Sequence, residues 1–230
     1  MLSGPPFAFP PYRLSGVVYG CLLNDKAGLL ALADAIDKPP YKGAPKAPVL
    51  FMKPRNTLAL SGAPVEVDEA SGKLSIGASL GIVMAATVTR VRKEDAAGSI
   101  AGLMLVADLS VPHASFYRPS VRMKARDGSC LLGPVVPYAE ALAQPRGLEM
   151  SVFIDGSVVQ RTSPEDMIRP ISQLIADISD FLTLDAGDVV LFGSVTPLPV
   201  ARAGQTFAIE AAAIGSLLGS VVSSRDRRAA

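Results

Sequence analysis

The chain has 230 residues, of which 49% are hydrophobic and 19% are charged, and its formal net charge is +1. This much apolar sequence can form a substantial core, so the composition excludes a largely disordered chain. A net charge near zero argues against nucleic-acid and membrane-surface proteins, which carry broad basic faces. The two cysteines, Cys21 and Cys130, fit neither a disulfide framework nor a zinc motif, and we expect buried thiols in a cytoplasmic protein.

The first part of the chain is predicted to contain two strands around one helix. Residues 1–16 form a proline-rich arm, and "GVVYGCLLN" (16–24) is a predicted strand. Apolar residues at helical spacing predict a helix at 25–36, followed by a loop at 37–48. "VLFM" (49–52) is predicted to be a buried strand.

The middle of the chain is predicted to be mostly β after a turn-rich stretch at 61–77. "ASLGIVMAATVTRV" (78–91) has β-branched residues and no proline, which favours a strand. A helical turn at 93–100 precedes a buried strand at 101–108 that ends on an acid. Residues 148–162 are a predicted hairpin, because their central Asp-Gly pair is a strong signal for a two-residue turn.

One long helix is predicted near the C-terminus, from Ser163 to Leu182. Ser163 is the predicted N-cap and Pro164 the first helical residue, while Pro170 lies inside the run and should kink the helix. A turn and a core strand follow at 184–195. Together these elements predict a mixed α/β, β-dominated fold with one long helix.

Four cations lie close together in "FYRPSVRMKARDG" (116–128): Arg118, Arg122, Lys124 and Arg126. The alternation in "VRMKARDG" predicts an extended segment with the last three cations on one face, where like charges repel. One hypothesis is an edge strand whose cations prevent edge-to-edge pairing. The other is a carboxylate-binding site, since arginine grips carboxylates with two hydrogen bonds and lysine supplies a movable charge.

Several motifs are similar, in order and spacing, to those of the fumarylacetoacetate hydrolase family. They are "KPRNT" (53–57), "IAGLMLVAD" (100–108), "SFYRP" (115–119), "KARDG" (124–128) and "TLDAGD" (183–188). The chain resembles most the branch that isomerises and decarboxylates intermediates of homoprotocatechuate degradation. This resemblance implies a mostly β roll with an open mouth, and we expect an arm at 1–16, one domain at 17–222 and a tail at 223–230.

The resemblance also implies a Mg2+ or Mn2+ ion held by a Glu-x-Glu pair and an aspartate. Asp108 matches the aspartate, but Gly77 and Ser79 stand where the glutamates are expected. One carboxylate and one hydroxyl hold Mg2+ poorly because that ion gives up water reluctantly, so we expect no metal ion here. The segment "VEVDEASG" is interpreted as a solvated loop rather than as a source of replacement ligands, although it holds three acids: Glu66, Asp68 and Glu69.

An acid/base dyad is implied for hydrolytic relatives, as a histidine and a glutamate on a lid after the first strand. Here that segment, "NDKAGLLALADAI" (24–36), contains no histidine, so water activation for C–C hydrolysis lacks its usual groups. The only histidine of the chain, His113, lies near Asp108 and Tyr117 in sequence. It is either a general acid/base or a residue of a surface loop.

A site for a small dicarboxylate or tricarboxylate is predicted from the resemblance and the cation cluster together. Lys124 matches the family's substrate-facing lysine and forms the predicted catalytic pair with Asp108. Fixed positive charge would stabilise the enolate formed when a 2-oxo acid tautomerises or loses CO2. The alternative is a structural network in which Asp108 and Asp127 pair with these cations. The predicted substrate-binding residues are Tyr117, Arg118, Arg126, Lys53 and Arg55.

Three functions are compatible with these features. The first is an isomerase or decarboxylase acting on 2-hydroxyhepta-2,4-diene-1,7-dioate or 5-oxopent-3-ene-1,2,5-tricarboxylate. The second is a catalytically weak subunit that stabilises a metal-bearing sister chain, and the third is an acylpyruvate-type hydrolase. The apolar β surface and the resemblance imply a homo-oligomer, such as a dimer, or a hetero-oligomer with a homologous subunit.

Overall fold

The computed structural model describes residues 8–9, 12–68, 70–113, 121–144 and 146–224. Its helices are α1 (Lys26–Ala31), α2 (Ala33–Ile36), α3 (Val121–Lys124), α4 (Tyr138–Leu142) and α5 (Ile171–Ser179). Its strands are β1 (Ala8–Phe9), β2 (Tyr12–Arg13), β3 (Val18–Leu22), β4 (Val49–Lys53), β5 (Leu58–Leu60), β6 (Pro64–Val67), β7 (Lys73–Met84), β8 (Ile100–Ser110), β9 (Cys130–Pro137), β10 (Met150–Ile154), β11 (Ser157–Thr162), β12 (Val189–Leu191), β13 (Val200–Arg202), β14 (Thr206–Ala211) and β15 (Gly215–Ser223). No helix in these ranges is long and apolar enough to cross a membrane.

Two sheets contain thirteen of the fifteen strands of the described chain. The larger sheet has the order β4-β3-β12-β7-β8-β9-β5, with β13 also paired to β7, and the smaller has the order β11-β10-β14-β15-β6. The long strands β7 and β8 pair antiparallel and place Gly77 directly opposite Asp108. The mixed, β-dominated fold predicted from the sequence is confirmed.

The larger sheet is covered on both faces. One face packs against the smaller sheet and α5 in a large cluster that includes Leu80, Ile175 and Ile209. The opposite face packs in a second cluster that includes Leu14 and Val106. Strand side chains alternate between faces, and both faces here exclude water, so β7 and β8 are nearly continuous apolar runs.

The predicted C-terminal helix is much shorter than expected. Ser163 does form a capping box with Asp166, but it begins only a 3₁₀ turn at Pro164–Asp166. The α-helix starts after Pro170, since proline cannot donate the backbone hydrogen bond and disfavours helical geometry in the residue before it. The prediction of one long, kinked helix is therefore wrong, and α5 has nine residues.

Two other segments differ from the sequence-based expectation because their partners are distant in the chain. The stretch 61–77, predicted to be turns, contains β6, which pairs with β15, and the start of β7, which pairs with β13. Glu66 therefore belongs to a strand, between two buried valines, rather than to a solvated loop. The predicted buried strand at 49–52 is mostly unburied, since Met52 is 58% exposed.

The cationic segment 121–128 is not extended, so the prediction of an edge strand is wrong. Residues Val121–Lys124 form the short helix α3, closed by a hydrogen bond from the Ala125 N–H to the Val121 carbonyl. In an extended segment Arg122 and Lys124 would point to the same side, but in a helix they point to different sides. Arg122 is therefore exposed, whereas Lys124 is buried. Both cysteines are free and buried, as predicted.

The first predicted helix and the hairpin are confirmed with small changes. The helix is divided at Leu32 into α1 and α2, and Asp25 caps α1 through the Gly28 N–H. The hairpin β10–β11 turns at Asp155 and Gly156, whose φ angles are 47° and 78°. Positive φ at both central residues is what a two-residue hairpin turn of this kind requires.

Candidate active site

A cavity of about 240 Å³ opens where β3, β4 and β8 meet the segment 193–198. Its apolar wall includes Cys21, Phe51 and Leu191. Several polar side chains from separate elements converge on it, which is the usual character of a ligand-binding site. They are Asp25, Ser75, Asp108, Ser110, His113, Lys124, Ser194 and Thr196.

A buried ion triplet of two lysines and one aspartate lies beside this cavity. Asp108 receives Lys124 Nζ at 2.6 Å on Oδ2 and Lys53 Nζ at 2.9 Å on Oδ1. Lys53 also donates to the carbonyl oxygens of Lys124 (2.6 Å) and Leu109 (3.2 Å) and to Ser129 Oγ (3.1 Å). Three acceptors use the three hydrogens of that ammonium group, so its contact with Oδ1 is an ion pair without an aligned hydrogen bond.

The two lysines therefore have different roles. The Lys53 side chain is fully buried, does not line the cavity and has all its hydrogens engaged. Lys124 lines the cavity and donates to Asp108; among the described residues no second acceptor is found for it. Two ammonium hydrogens of Lys124 therefore have no acceptor in the described part of the chain, whereas Lys53 is structural.

Electrostatics keep Asp108 ionised. Burial alone would raise the pKa of this carboxyl group, but the nearby charges of Lys124 and Lys53, with the hydrogen bond from Lys124, outweigh burial and lower the pKa. The triplet carries one net positive charge, which lies at the wall of a partly apolar cavity. Positive charge in such surroundings attracts an anion more strongly than it would in water.

The ring of Phe51 fixes the position of Lys124. Lys124 Nζ lies 4.3 Å from the ring centroid, within the range of a cation–π interaction. Gly20, on the neighbouring strand β3, makes room for the ring, because a Cβ at that position would overlap it.

Gly20→Ala is expected to destabilise the protein by about 1–3 kcal/mol, since the Phe51 ring must leave its rotamer. The free energy of unfolding, measured by urea denaturation, checks this result. Gly98→Ala is a matched control, because a Cβ at Gly98 meets no atom within 4 Å. If the two variants were equally stable, the ring would not depend on the space above Gly20.

The residues present do not fit a divalent metal. The described residues contain no group of three or more His, Cys, Asp or Glu side chains that could hold one. The Asp108 carboxylate is already neutralised by two ammonium groups. Ser79 Oγ is hydrogen-bonded to the Leu80 carbonyl and the Gly193 N–H, so its lone pairs and proton are used within the backbone. Hard cations require several free anionic or carbonyl oxygens, which this arrangement does not provide.

Two other predicted cations, Arg126 and Arg55, do not line the cavity. Arg126 forms an ion pair with Asp68 at 2.8 Å, and neither Arg126 nor Arg55 is among the described residues that line the cavity. The Asp68 pKa is lowered to about 2, mainly by hydrogen bonds from Ser71 and also by Arg126. Lys53, predicted to bind substrate, is enclosed and does not line the cavity. Tyr117 and Arg118 lie outside the described residues.

The ion pairing expected in the alternative of a structural network is present at Asp108, which contacts both lysines. It does not hold for Asp127, which accepts a hydrogen bond from the side chain of Asn56 at 2.6 Å. The cationic cluster is thus divided between an inward-facing Lys124, a paired Arg126 and an exposed Arg122. The three cations of this cluster that the structure describes do not form one site.

His113 lies in the cavity wall, half-buried, rather than on an open surface loop. Its Nδ1 atom is 2.8 Å from the carbonyl oxygen of Val111. A carbonyl oxygen only accepts, so Nδ1 carries the proton in this contact and Nε2 of the neutral ring is an acceptor. This arrangement is compatible with proton transfer by His113, which stays a prediction.

Asp25 was not recognised from the sequence as a cavity residue. It is 3% exposed, and its Oδ2 accepts hydrogen bonds from the Gly28 N–H (2.6 Å) and the Thr196 N–H (2.9 Å). The available signal was an acid between a strand and a helix, which indicates an N-cap. Its second contact, with a residue 171 positions away, could not be predicted from local sequence.

A cysteine nucleophile is not supported at this site. Cys21 lines the cavity, but burial raises the pKa of its thiol to about 11. Burial likewise raises the pKa of Cys130 to about 12. Because the thiolate is the reactive form, both side chains are inert at neutral pH.

The chain belongs to the fumarylacetoacetate hydrolase family. The family model described as "Fumarylacetoacetate (FAA) hydrolase C-terminal" matches residues 17–222. The X-ray structure of 5-carboxymethyl-2-hydroxymuconate delta-isomerase from Mycobacterium smegmatis has the same fold, with a TM-score of 0.73 and 25% sequence identity. The aligned region covers 92% of this chain and 80% of that one.

Curated relatives are isomerases, decarboxylases and tautomerases. The chain is 38% identical over 181 residues to the 4-hydroxyphenylacetate degradation bifunctional isomerase/decarboxylase of Escherichia coli, covering 79% of this chain and 41% of the relative. It is 33% identical over 155 residues to an oxaloacetate tautomerase of Escherichia coli K12, covering 65% of this chain and 71% of the relative. The chain thus spans less than half the length of the bifunctional relative.

Proposed function

We propose that this chain is an isomerase or decarboxylase subunit for small 2-oxo or 2-hydroxy-dienoic dicarboxylates, of the type that arise in homoprotocatechuate degradation. The observation that carries the proposal is the position of Lys124. It is buried against Asp108 and Phe51, it lines the cavity, and two of its ammonium hydrogens have no acceptor among the described residues. The similarity to the bifunctional isomerase/decarboxylase supports the substrate class, with 2-hydroxyhepta-2,4-diene-1,7-dioate and 5-oxopent-3-ene-1,2,5-tricarboxylate as candidates. The cytoplasmic location and the oligomeric state inferred from the sequence remain predictions.

The chemistry follows from where negative charge develops. Tautomerisation of a 2-hydroxy-dienoate, or loss of CO2 from a 2-oxo acid, passes through a species with charge on the oxygen at C2. A fixed ammonium group in a partly apolar cavity stabilises that charge without reorganisation. Asp108 and the Phe51 ring hold Lys124 in one place, so the positive charge is ready before the substrate binds.

A second candidate is a catalytically weak subunit that stabilises a metal-bearing homologue. Two observations favour it: Gly77 and Ser79 supply no carboxylate, and Asp108 is occupied by two lysines. In that case Lys124 and Lys53 would contribute stability only. The two candidates predict different activities for the purified chain.

Steady-state kinetics of the purified chain test the proposal. The substrates are the two acids named above and oxaloacetate, each measured with EDTA and with Mg2+. We expect turnover that is insensitive to EDTA and a kcat/KM about 10²–10³-fold lower in Lys124→Met, the usual effect of removing one group that stabilises an oxyanion. Lys73→Met, on the exposed first residue of β7, is the matched control.

Three results would contradict the proposal in different ways. Turnover that requires Mg2+ would show that metal binds despite the occupied carboxylate. A wild-type kcat/KM in the Lys124→Met variant would show that Lys124 does not contribute to catalysis. Turnover only after addition of a homologue with both glutamates would establish the second candidate.

A further inference from the structure

We propose that Asp25 is the general base of this cavity, accepting the proton that the substrate loses during isomerisation. The inference rests on the proposed function and assigns the proton-transfer step that Lys124 cannot perform. Asp25 borders the same cavity as Lys124, Asp108 and His113. Asp108 is unsuited to the task, because two ammonium groups hold its charge.

The hydrogen bonds of Asp25 leave one oxygen for the substrate. Both backbone N–H groups that it binds, those of Gly28 and Thr196, donate to Oδ2. No donor to Oδ1 is found among the described residues, and Oδ1 is absent from the fully enclosed unpaired polar atoms of that part of the chain. Since Asp25 lines the cavity, Oδ1 is the oxygen that we assign to the substrate.

The backbone around Asp25 is fixed from three sides, so the carboxylate is positioned before the substrate arrives. Asp25 forms an isolated β-bridge with Met167, and the Asn24 carbonyl accepts from the Ile168 N–H at 2.6 Å. Asn24, 1% exposed, donates to the Phe192 carbonyl at 2.8 Å. A side group held by its own supporting contacts is what general acid/base catalysis requires.

Gly28 allows this arrangement. A Cβ at Gly28 would lie 2.6 Å from Asp25 Oδ1 and 2.7 Å from Oδ2, so a larger residue there would push the carboxylate away. The short helix α1 thus has Asp25 as its N-cap, and Gly28, in its first turn, leaves space for the Asp25 carboxylate. The pairing of Asp25 and Gly28 keeps the acid at the cavity wall.

Isomerisation of a 2-hydroxy-2,4-dienoate conserves protons and electrons. The 2-hydroxyl proton moves to Asp25 Oδ1, and the O–H electron pair becomes the C2=O π bond. The double bonds shift from C2=C3 and C4=C5 to C3=C4, and C5 takes up a proton from Asp25 or from water. Lys124 stabilises the charge on the C2 oxygen between the two proton transfers, and no oxidant or reductant is needed.

Asp25→Asn is the decisive variant, because asparagine is also a good N-cap and can still accept both backbone hydrogen bonds. We expect kcat to fall about 10²–10⁴-fold, the usual contribution of a general base, while KM changes by less than about threefold. Circular dichroism and the melting temperature show whether the variant is folded. Asp37→Asn, on an exposed acid at the end of α2, is the matched control and should keep the wild-type kcat.

The outcomes separate this inference from the proposed function. If the wild type turns over and Asp25→Asn keeps its kcat, Asp25 is only structural and this inference fails, while the proposed function stands. A large loss in His113→Gln without one in Asp25→Asn would give the proton transfer to His113 instead. If the wild type turns over none of the three acids and exchanges no substrate protons in D2O, both proposals fail.

Discussion

Asp108→Asn is expected to lower the free energy of unfolding by about 3–5 kcal/mol at pH 7, because removing one partner of a buried ion pair leaves the other charge uncompensated. In this protein two ammonium groups, those of Lys53 and Lys124, would lose their shared counter-ion. Asparagine keeps the size of the side chain, so the loss reports charge rather than packing. Urea unfolding followed by circular dichroism measures it.

The same variant should also lose part of the acid sensitivity of the wild type. The pKa of Asp108 in the folded protein lies below its value of about 3.9 in an unfolded chain, since the lysines outweigh burial. Between these two values the unfolded chain binds a proton that the folded protein does not. Stability from Asp108 is therefore complete above the unfolded value and is lost as the pH falls through the folded value.

Asp155→Asn is the matched control for the measurement at pH 7. Asp155 lies in the exposed hairpin turn, where asparagine tolerates the positive φ and its side-chain oxygen still accepts from Thr206, although the Oδ2 acceptor for Gln205 is lost. Its free energy of unfolding should change by less than about 1 kcal/mol at pH 7. An equal loss in the two variants would show that the triplet has no special role in stability.

Lys53→Met is expected to cost about 3–5 kcal/mol of unfolding free energy, because Lys53 is a fully enclosed partner in the same triplet. Its removal also leaves the carbonyl oxygens of Lys124 and Leu109 without that donor. These contacts join β4, β8 and the end of α3, so the loss should appear in the global unfolding transition.

A double-mutant cycle identifies the source of this cost. Lys53→Met combined with Asp108→Asn should lose less than the sum of the single variants, since residues in contact are not additive. Lys73→Met, at an exposed lysine, should stay within about 0.5 kcal/mol of the wild type. Strict additivity would mean that the 2.9 Å ion pair contributes nothing to stability.

Local sequence predicted the elements whose signals are local. The hairpin at Asp155 and Gly156 and the helical segment that begins after Asp25 depend on residues within a few positions of each other, and both were predicted. The strand β6 was missed because its partner β15 is far along the chain, and its own composition favours turns. The long helix was overestimated because an apolar stripe continues across Pro170 while the backbone does not.

The site was predicted in part for the same reason. Family motifs identified Asp108 and Lys124, and the structure brings them together. The predicted alternation of an extended segment placed Arg126 on the same face as Lys124. Because residues 121–124 are helical, the two side chains are not aligned in this way, and Arg126 forms an ion pair with Asp68. Asp25 was missed because its place at the cavity depends on Thr196, which belongs to a loop beyond α5.

Gly77 leaves no room for a larger side chain at the position where a glutamate ligand was expected. A Cβ at this position would lie 2.9 Å from both the Asp108 carbonyl oxygen and Ser194 Oγ, closer than real Cβ atoms approach such neighbours. A glutamate installed here by one mutation would first have to displace a neighbouring strand or loop. A single substitution at position 77 would therefore not place a second carboxylate beside Asp108 without rebuilding the surrounding backbone.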